Sequence, residues 1–165
     1  MDAELPEPGT TYEENARAKA EAVCEQCGRP ALADDSGIEV LGLGGWPGPE
    51  SARWMGEGAS DRDRLLGLLD EVRRRSPGDA RARYVAALAI ARPGHATVVV
   101  RGQCDGVLVS PRGDGGFGYD PVFLSDELGV RFGEAAAQDK DAVSHRGRAV
   151  RALVASGALE DLGRG

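Results

Sequence analysis

The stretch Leu32-Ala-Asp-Asp-Ser-Gly-Ile-Glu-Val40 sets two carboxylates, Asp34 and Asp35, side by side after a short apolar run. In an extended chain neighbouring side chains point to opposite faces, so the pair cannot serve one site as equals. The same Asp-Asp-Ser-Gly run also reads as an ordinary turn, in which Asp and Ser oxygens satisfy local backbone donors. Further along, Gly116-Phe-Gly-Tyr-Asp120 and Asp139-Lys-Asp-Ala-Val-Ser-His-Arg-Gly147 together offer an aromatic face, Phe117 or Tyr119, and the donors Lys140, His145 and Arg146. Stacking holds any base, but cationic donors favour a purine with a keto group at position 6 over adenine, whose amino group would meet another donor. Taken singly, Lys140 and Arg146 also fit solvated helix charges.

Other patterns lead nowhere. Gly113 to Gly118 fits G-x-G-x-x-G, but that fingerprint must open a helix, and Tyr119-Asp-Pro-Val-Phe123 is aromatic, strand-like and carries a proline. Arg112-Gly113-Asp114 is an adhesion tripeptide that arises by chance in many chains. Ser144 and His145 are adjacent, and helix neighbours do not face each other, which argues against a Ser-His relay. Cys24 and Cys27 precede Gly28 and Pro30 at a helix end instead of opening a helix, and no second half of a zinc site exists. They read as structural.

Several elements must hold these residues. Thr11 and Glu14 have capping-box spacing, and Tyr12, Ala16, Ala20, Val23 and Cys27 recur at helical intervals, so the pattern predicts a helix over 12–27 stopped by Gly28. Strands are expected over 31–34 and 38–43. The Gly/Pro-rich segment 44–54 predicts an ordered loop. Ser60 caps a helix with Leu65, Leu68, Leu69 and Val72 on one face, and its Arg73-Arg74-Arg75 end reads as a solvated terminus. Residues 81–92 and 97–104, separated by Pro93-Gly94, predict an antiparallel pair that 106–109 extends. A last helix starts near Asp141 or Ser144 and turns Val150, Leu153 and Val154 inward. The fold class is α/β (α+β), with a mixed, twisted sheet flanked by helices.

With 165 residues and 41% hydrophobic content, the chain suits one domain over 1–165. A net charge of −7 disfavours a nucleic-acid polymer as partner, and a small anion remains compatible if a cation bridges it. Three cysteines do not make a disulfide framework. The first residues have neither a basic segment nor an apolar run, and no stretch reaches membrane-spanning length, so a cytoplasmic protein without membrane partners is expected.

Ala33-Asp-Asp-Ser-Gly37, Gly44-Gly-Trp-Pro-Gly-Pro-Glu-Ser-Ala-Arg-Trp54, Gly115-Gly-Phe-Gly-Tyr-Asp-Pro-Val-Phe123 and Asp139 to Gly147 resemble, in order and spacing, signature segments of the inosine triphosphate pyrophosphatase family. The segment from Glu7 into the first helix is similar too. The resemblance implies a homodimer with Mg²⁺ that hydrolyses ITP, dITP and XTP to the monophosphate and pyrophosphate, cleansing the nucleotide pool. It gives Asp35 the metal and the attacking water, and Glu7 the place of a second metal carboxylate. Lys19 falls near the phosphates and Ser36 at the substrate. Phe117, Gly118, Tyr119 and Asp120 match the base-binding segment, and Lys140, His145 and Arg146 close over the base.

Water attack on the α-phosphorus needs a positioned nucleophile and charge neutralisation, which a hard oxygen-bound cation and a carboxylate supply together. On this reading Asp35 looks into the pocket, while Asp34 turns back to backbone donors. The family usually opens with a strand and a Thr/Ser-Gly-Asn-x-x-Lys phosphate loop, and this sequence starts later. An N-terminally truncated chain with an exposed sheet edge is therefore expected, and a catalytically impaired nucleotide-binding remnant is the alternative function.

Overall fold

A computed structural model describes residues 10–163. Helix α1, Tyr12–Cys27, starts where Thr11 Oγ1 accepts from the Glu14 amide at 3.2 Å, and it ends on Gly28 at φ 64°. That left-handed φ is the one a glycine adopts without steric cost. Its inward stripe is Tyr12, Asn15, Ala16, Ala20 and Cys24. Cys24 is buried, Cys27 is exposed, and both are free thiols.

A single strand, β1, covers Ala31–Val40, where two strands were expected, and Leu41–Leu43 is a 3₁₀ turn. The chain passes Gly37 without breaking because the backbone at Gly48 lies against it. A Cβ on Gly37 would sit 2.2 Å from the Gly48 carbonyl oxygen. The Gly/Pro segment is ordered as expected and contributes β2, Pro47–Gly48, after a cis Trp46–Pro47 bond. Helix α2, Asp61–Arg75, begins on a full capping box between Ser60 and Asp63. Its arginine end pairs with Asp70 and Glu71 at the surface.

Strands β3, Arg81–Ala91, and β4, Val98–Leu108, form the predicted hairpin, and β5 is Phe123–Ser125. The sheet order is β2-β1-β3-β4-β5. All pairings among the described strands are antiparallel, so the α/β (α+β) class stands while the sheet is not mixed there. Helices α3, Ala137–Val143, and α4, His145–Ala155, close the chain, with the Ser144 hydroxyl accepting from the Gly147 amide as the α4 cap. Ala149 and Leu153 face inward, whereas Val150 and Val154 are exposed, contrary to expectation. No helix among the described residues is long and apolar enough to cross a membrane.

The sheet has two covered faces. Val85, Ala87 and Ala89 of β3 pack on α1, and the alternate residues Tyr84, Ala86 and Leu88 pack toward α2 and α4. Period-two alternation thus assigns each strand residue to the α1 side or to the α2/α4 side. On β1, only Ile38 and Glu39 pair with β2, and β3 occupies the other side. Among the described residues, then, the outer edge of β1 from 31 to 37 has no strand beside it.

Candidate active site

On the α2/α4 side, the first turns of these helices flank a cavity of about 200 Å³ whose floor includes Ser36 and Tyr84. Small-ligand sites commonly run to roughly 300–1,000 Å³. This cavity therefore suits one ring system, not an entire nucleotide. Phe117, Gly118, Tyr119, His145 and Arg146 line it, which brings together five residues expected to hold a base.

Phe117 is half exposed, with the Lys140 ammonium and the Arg146 guanidinium each 4.6 Å from its ring centre. Two cations thus lie against one aromatic ring. Tyr119 is buried. Its hydroxyl donates to the Ser51 carbonyl at 2.5 Å and accepts from Trp54 Nε1 at 3.0 Å, which ties the 115–119 loop to the Gly/Pro segment. The Gly118 amide donates to Asp61 Oδ2 at 3.3 Å, a second tie, to α2.

Asp120 also departs from a direct base contact. It is 1% exposed, and its carboxylate accepts from the Tyr84 hydroxyl at 3.0 Å, the Phe117 amide at 2.9 Å and Lys140 Nζ at 2.5 Å. Buried carboxylates need such saturation. The consequence is positional: one side chain orients the aromatic platform and the lysine above it. Tyr84 in turn lies parallel to His145, with ring centres 4.4 Å apart and planes 5° apart. Burial, then Arg146 and Lys140, push the His145 imidazole down to about 3, so it is neutral at physiological pH. Its Nδ1 is buried without a hydrogen-bond partner among the described residues. A neutral imidazole can donate or accept there.

Asp35 does not line this cavity, contrary to the expectation. It projects to the α1 side, where Asn15 Nδ2 donates to Oδ2 at 3.1 Å and Lys19 Nζ lies 3.2 Å from Oδ1. Asp34, expected to satisfy backbone donors, is instead exposed on the α2/α4 side and pairs with Arg146 at 3.4 Å. Arg146 also donates to Ser36 Oγ at 3.3 Å. Alternation therefore splits the pair as expected, but neither carboxylate lines the cavity. The base-sized cavity and the Asp35–Lys19 pair lie on opposite faces of β1, beside the edge that has no strand next to it among the described residues. Glu7 lies outside the described residues. Among the described residues, no group of three Asp, Glu, His or Cys side chains is gathered to hold a metal.

Sequence reasoning missed Asn15, Tyr84, Ser51, Asp61 and Arg64. Asn15 interrupts an otherwise apolar helical stripe at a fully buried position, a signal that was legible. Tyr84 read as a core strand residue.

Comparison with known proteins bears on the family and the fold. The Ham1 family model matches residues 1–156. A dITP/XTP pyrophosphatase of Deinococcus radiodurans is 50% identical over 92% of this chain and 76% of its own length. One from Thermus thermophilus is 49% identical over 90% and 72%. Among solved structures, the Staphylococcus aureus Ham1 protein superposes with a TM-score of 0.87 at 36% identity, covering 93% of this chain and 80% of that one. A HAM1 protein from Coxiella burnetii gives 0.88 at 35%, covering 94% and 82%. A sheet with α1 on one face and α2 and α4 on the other, together with a match over nearly the whole sequence, makes the chain a member of the Ham1 family.

Proposed function

We propose that the chain hydrolyses deaminated purine nucleoside triphosphates, XTP, dITP and ITP, to the monophosphate and pyrophosphate. One observation carries this reading: a base-sized cavity with cationic donors and a neutral imidazole lies across an open strand edge from a lysine-paired carboxylate. The two similar proteins from Deinococcus and Thermus carry the name dITP/XTP pyrophosphatase, which supports dITP and XTP as substrates here.

The base enters between α2 and α4, against Phe117, with its 6-oxo group toward the donors of α4. The sugar and phosphates then pass over the β1 edge beside Ser36 and reach Asp35 and Lys19. Asp35 orients a water and accepts its proton as the oxygen attacks the α-phosphorus. The bond between the α-phosphorus and the bridging oxygen breaks, and pyrophosphate leaves. Lys19 stabilises charge on the phosphate oxygens. Asn15 holds the Asp35 carboxylate in one orientation.

Asp35 offers the oxygen donors that Mg²⁺ prefers, and in phosphate sites one or two carboxylates plus substrate oxygens suffice to bind it. When bound, the ion offsets phosphate charge and polarises the reacting phosphorus.

Pyrophosphate release from XTP, ITP and GTP with Mg²⁺, by the chain and by Asp35→Asn, tests this reading. Release from XTP and ITP that the substitution abolishes is expected. Binding of IMP with no release from any substrate would favour the impaired remnant, and neither binding nor release would overturn the reading outright.

A further inference from the structure

The cavity has two helical walls, and only the α4 wall has a role so far. The first turn of α2 supplies the other, with Asp61 and Arg64 lining the space. Both helices pack on the same sheet face, α2 over Ala82 and Tyr84 and α4 over Ala86 and Leu88, so a ring lying between them meets one helix at each edge. The Arg64 side chain is 15% exposed, and its Nη1 lies 3.6 Å from Asp61 Oδ1, which holds the guanidinium at that wall. Its Nε–H is buried with no acceptor among the described residues. Among the described residues, donor capacity on Arg64 is therefore left unused.

A guanidinium only donates and keeps its charge. A purine whose 6-oxo group meets α4 turns its C2 edge toward α2. There a 2-oxo group accepts, the C2–H of hypoxanthine offers nothing, and the 2-amino group of guanine sets donor against donor. Resting on the proposed function, we propose that Arg64 is a specificity-determining residue that selects a 2-oxo purine, so that XTP is preferred to ITP and GTP is refused.

The test is kcat/KM for XTP, ITP and GTP in the chain, in Arg64→Met and in Arg64→Lys, with Tm recorded for each. A charge-assisted hydrogen bond predicts an XTP:ITP ratio of about tenfold or more in the chain. In Arg64→Met that ratio should fall by a similar factor, and Arg64→Lys should restore part of it. A ratio that Arg64→Met leaves unchanged, or XTP and ITP falling in parallel with Tm, would overturn the role of Arg64 while the hydrolase reading stands. No turnover of any substrate by the chain itself would remove both.

Discussion

Asp34 and Asp35, neighbours in the chain, project through opposite faces of β1: Asp35 meets Asn15 and Lys19 of α1, and Asp34 meets Arg146 of α4. Their substitutions should therefore separate. Asp35→Asn should cost at least about 10²-fold in pyrophosphate release, the lower range for a general base. Asp34→Asn should change stability by no more than about 1 kcal/mol, because its ion pair is solvent-exposed. Urea unfolding and a coupled pyrophosphate assay read both, and equal losses of turnover would refute the division.

Asp120 is expected to act on stability before it acts on affinity. Asp120→Ala leaves Lys140, whose side chain is 13% exposed, and the Tyr84 hydroxyl without their acceptor. Removing one member of a buried ion pair costs about 3–5 kcal/mol. A stable Asp120→Ala protein with only weakened nucleotide binding would instead make Asp120 a direct base contact.

His145 gives stability a defined pH dependence. Folding holds it neutral with its pKa depressed to about 3 by burial and by Arg146 and Lys140, whereas the unfolded side chain takes up a proton below about 6.5. The unfolded state thus binds more protons in that window, so stability falls as pH drops, by about 1.4 kcal/mol per unit between the two values. The chain should lose about 2 kcal/mol more than His145→Asn between pH 7.5 and pH 5 in urea titrations. Parallel curves for the two proteins would contradict a neutral buried imidazole.

Gly37→Ala should lower Tm by several degrees, because the new methyl would meet the Gly48 carbonyl oxygen at 2.2 Å and Ser51 Oγ at 2.7 Å. Ser51 Oγ accepts from the Ile38 amide at 2.8 Å, so the strain falls on the same junction. A thermal melt suffices, and an unchanged Tm would show that the Gly/Pro segment can withdraw.

Local signals were legible where they acted alone. The Thr11 cap and Gly28 stop bound α1, and the Ser60-Asp63 box starts α2, as their spacing requires. The donors Lys140, His145 and Arg146 could be grouped from sequence because one short segment carries them. What stayed hidden depends on distant pairing. Nothing local says that Gly37 has Gly48 against it, so one strand looked like two. Tyr84 alternates with core residues, and only the helix crossing above it reveals that its ring floors a cavity under His145. For α4 the apolar pattern could not say which valines face solvent, and small Ala149 took the inward place because Gly102 of β4 brings the helix backbone close.

The edge of β1 from 31 to 37, which has no strand beside it among the described residues, has a consequence for self-association. A strand with free amides and carbonyls is a template for another chain, and natural proteins guard such edges with charge. Between residues 31 and 37 the guards are the two aspartates themselves, set among Ala31, Leu32 and Ala33. Those two carboxylates are held by Lys19 and Arg146, so replacing both would leave two cations beside the edge in place of two ion pairs.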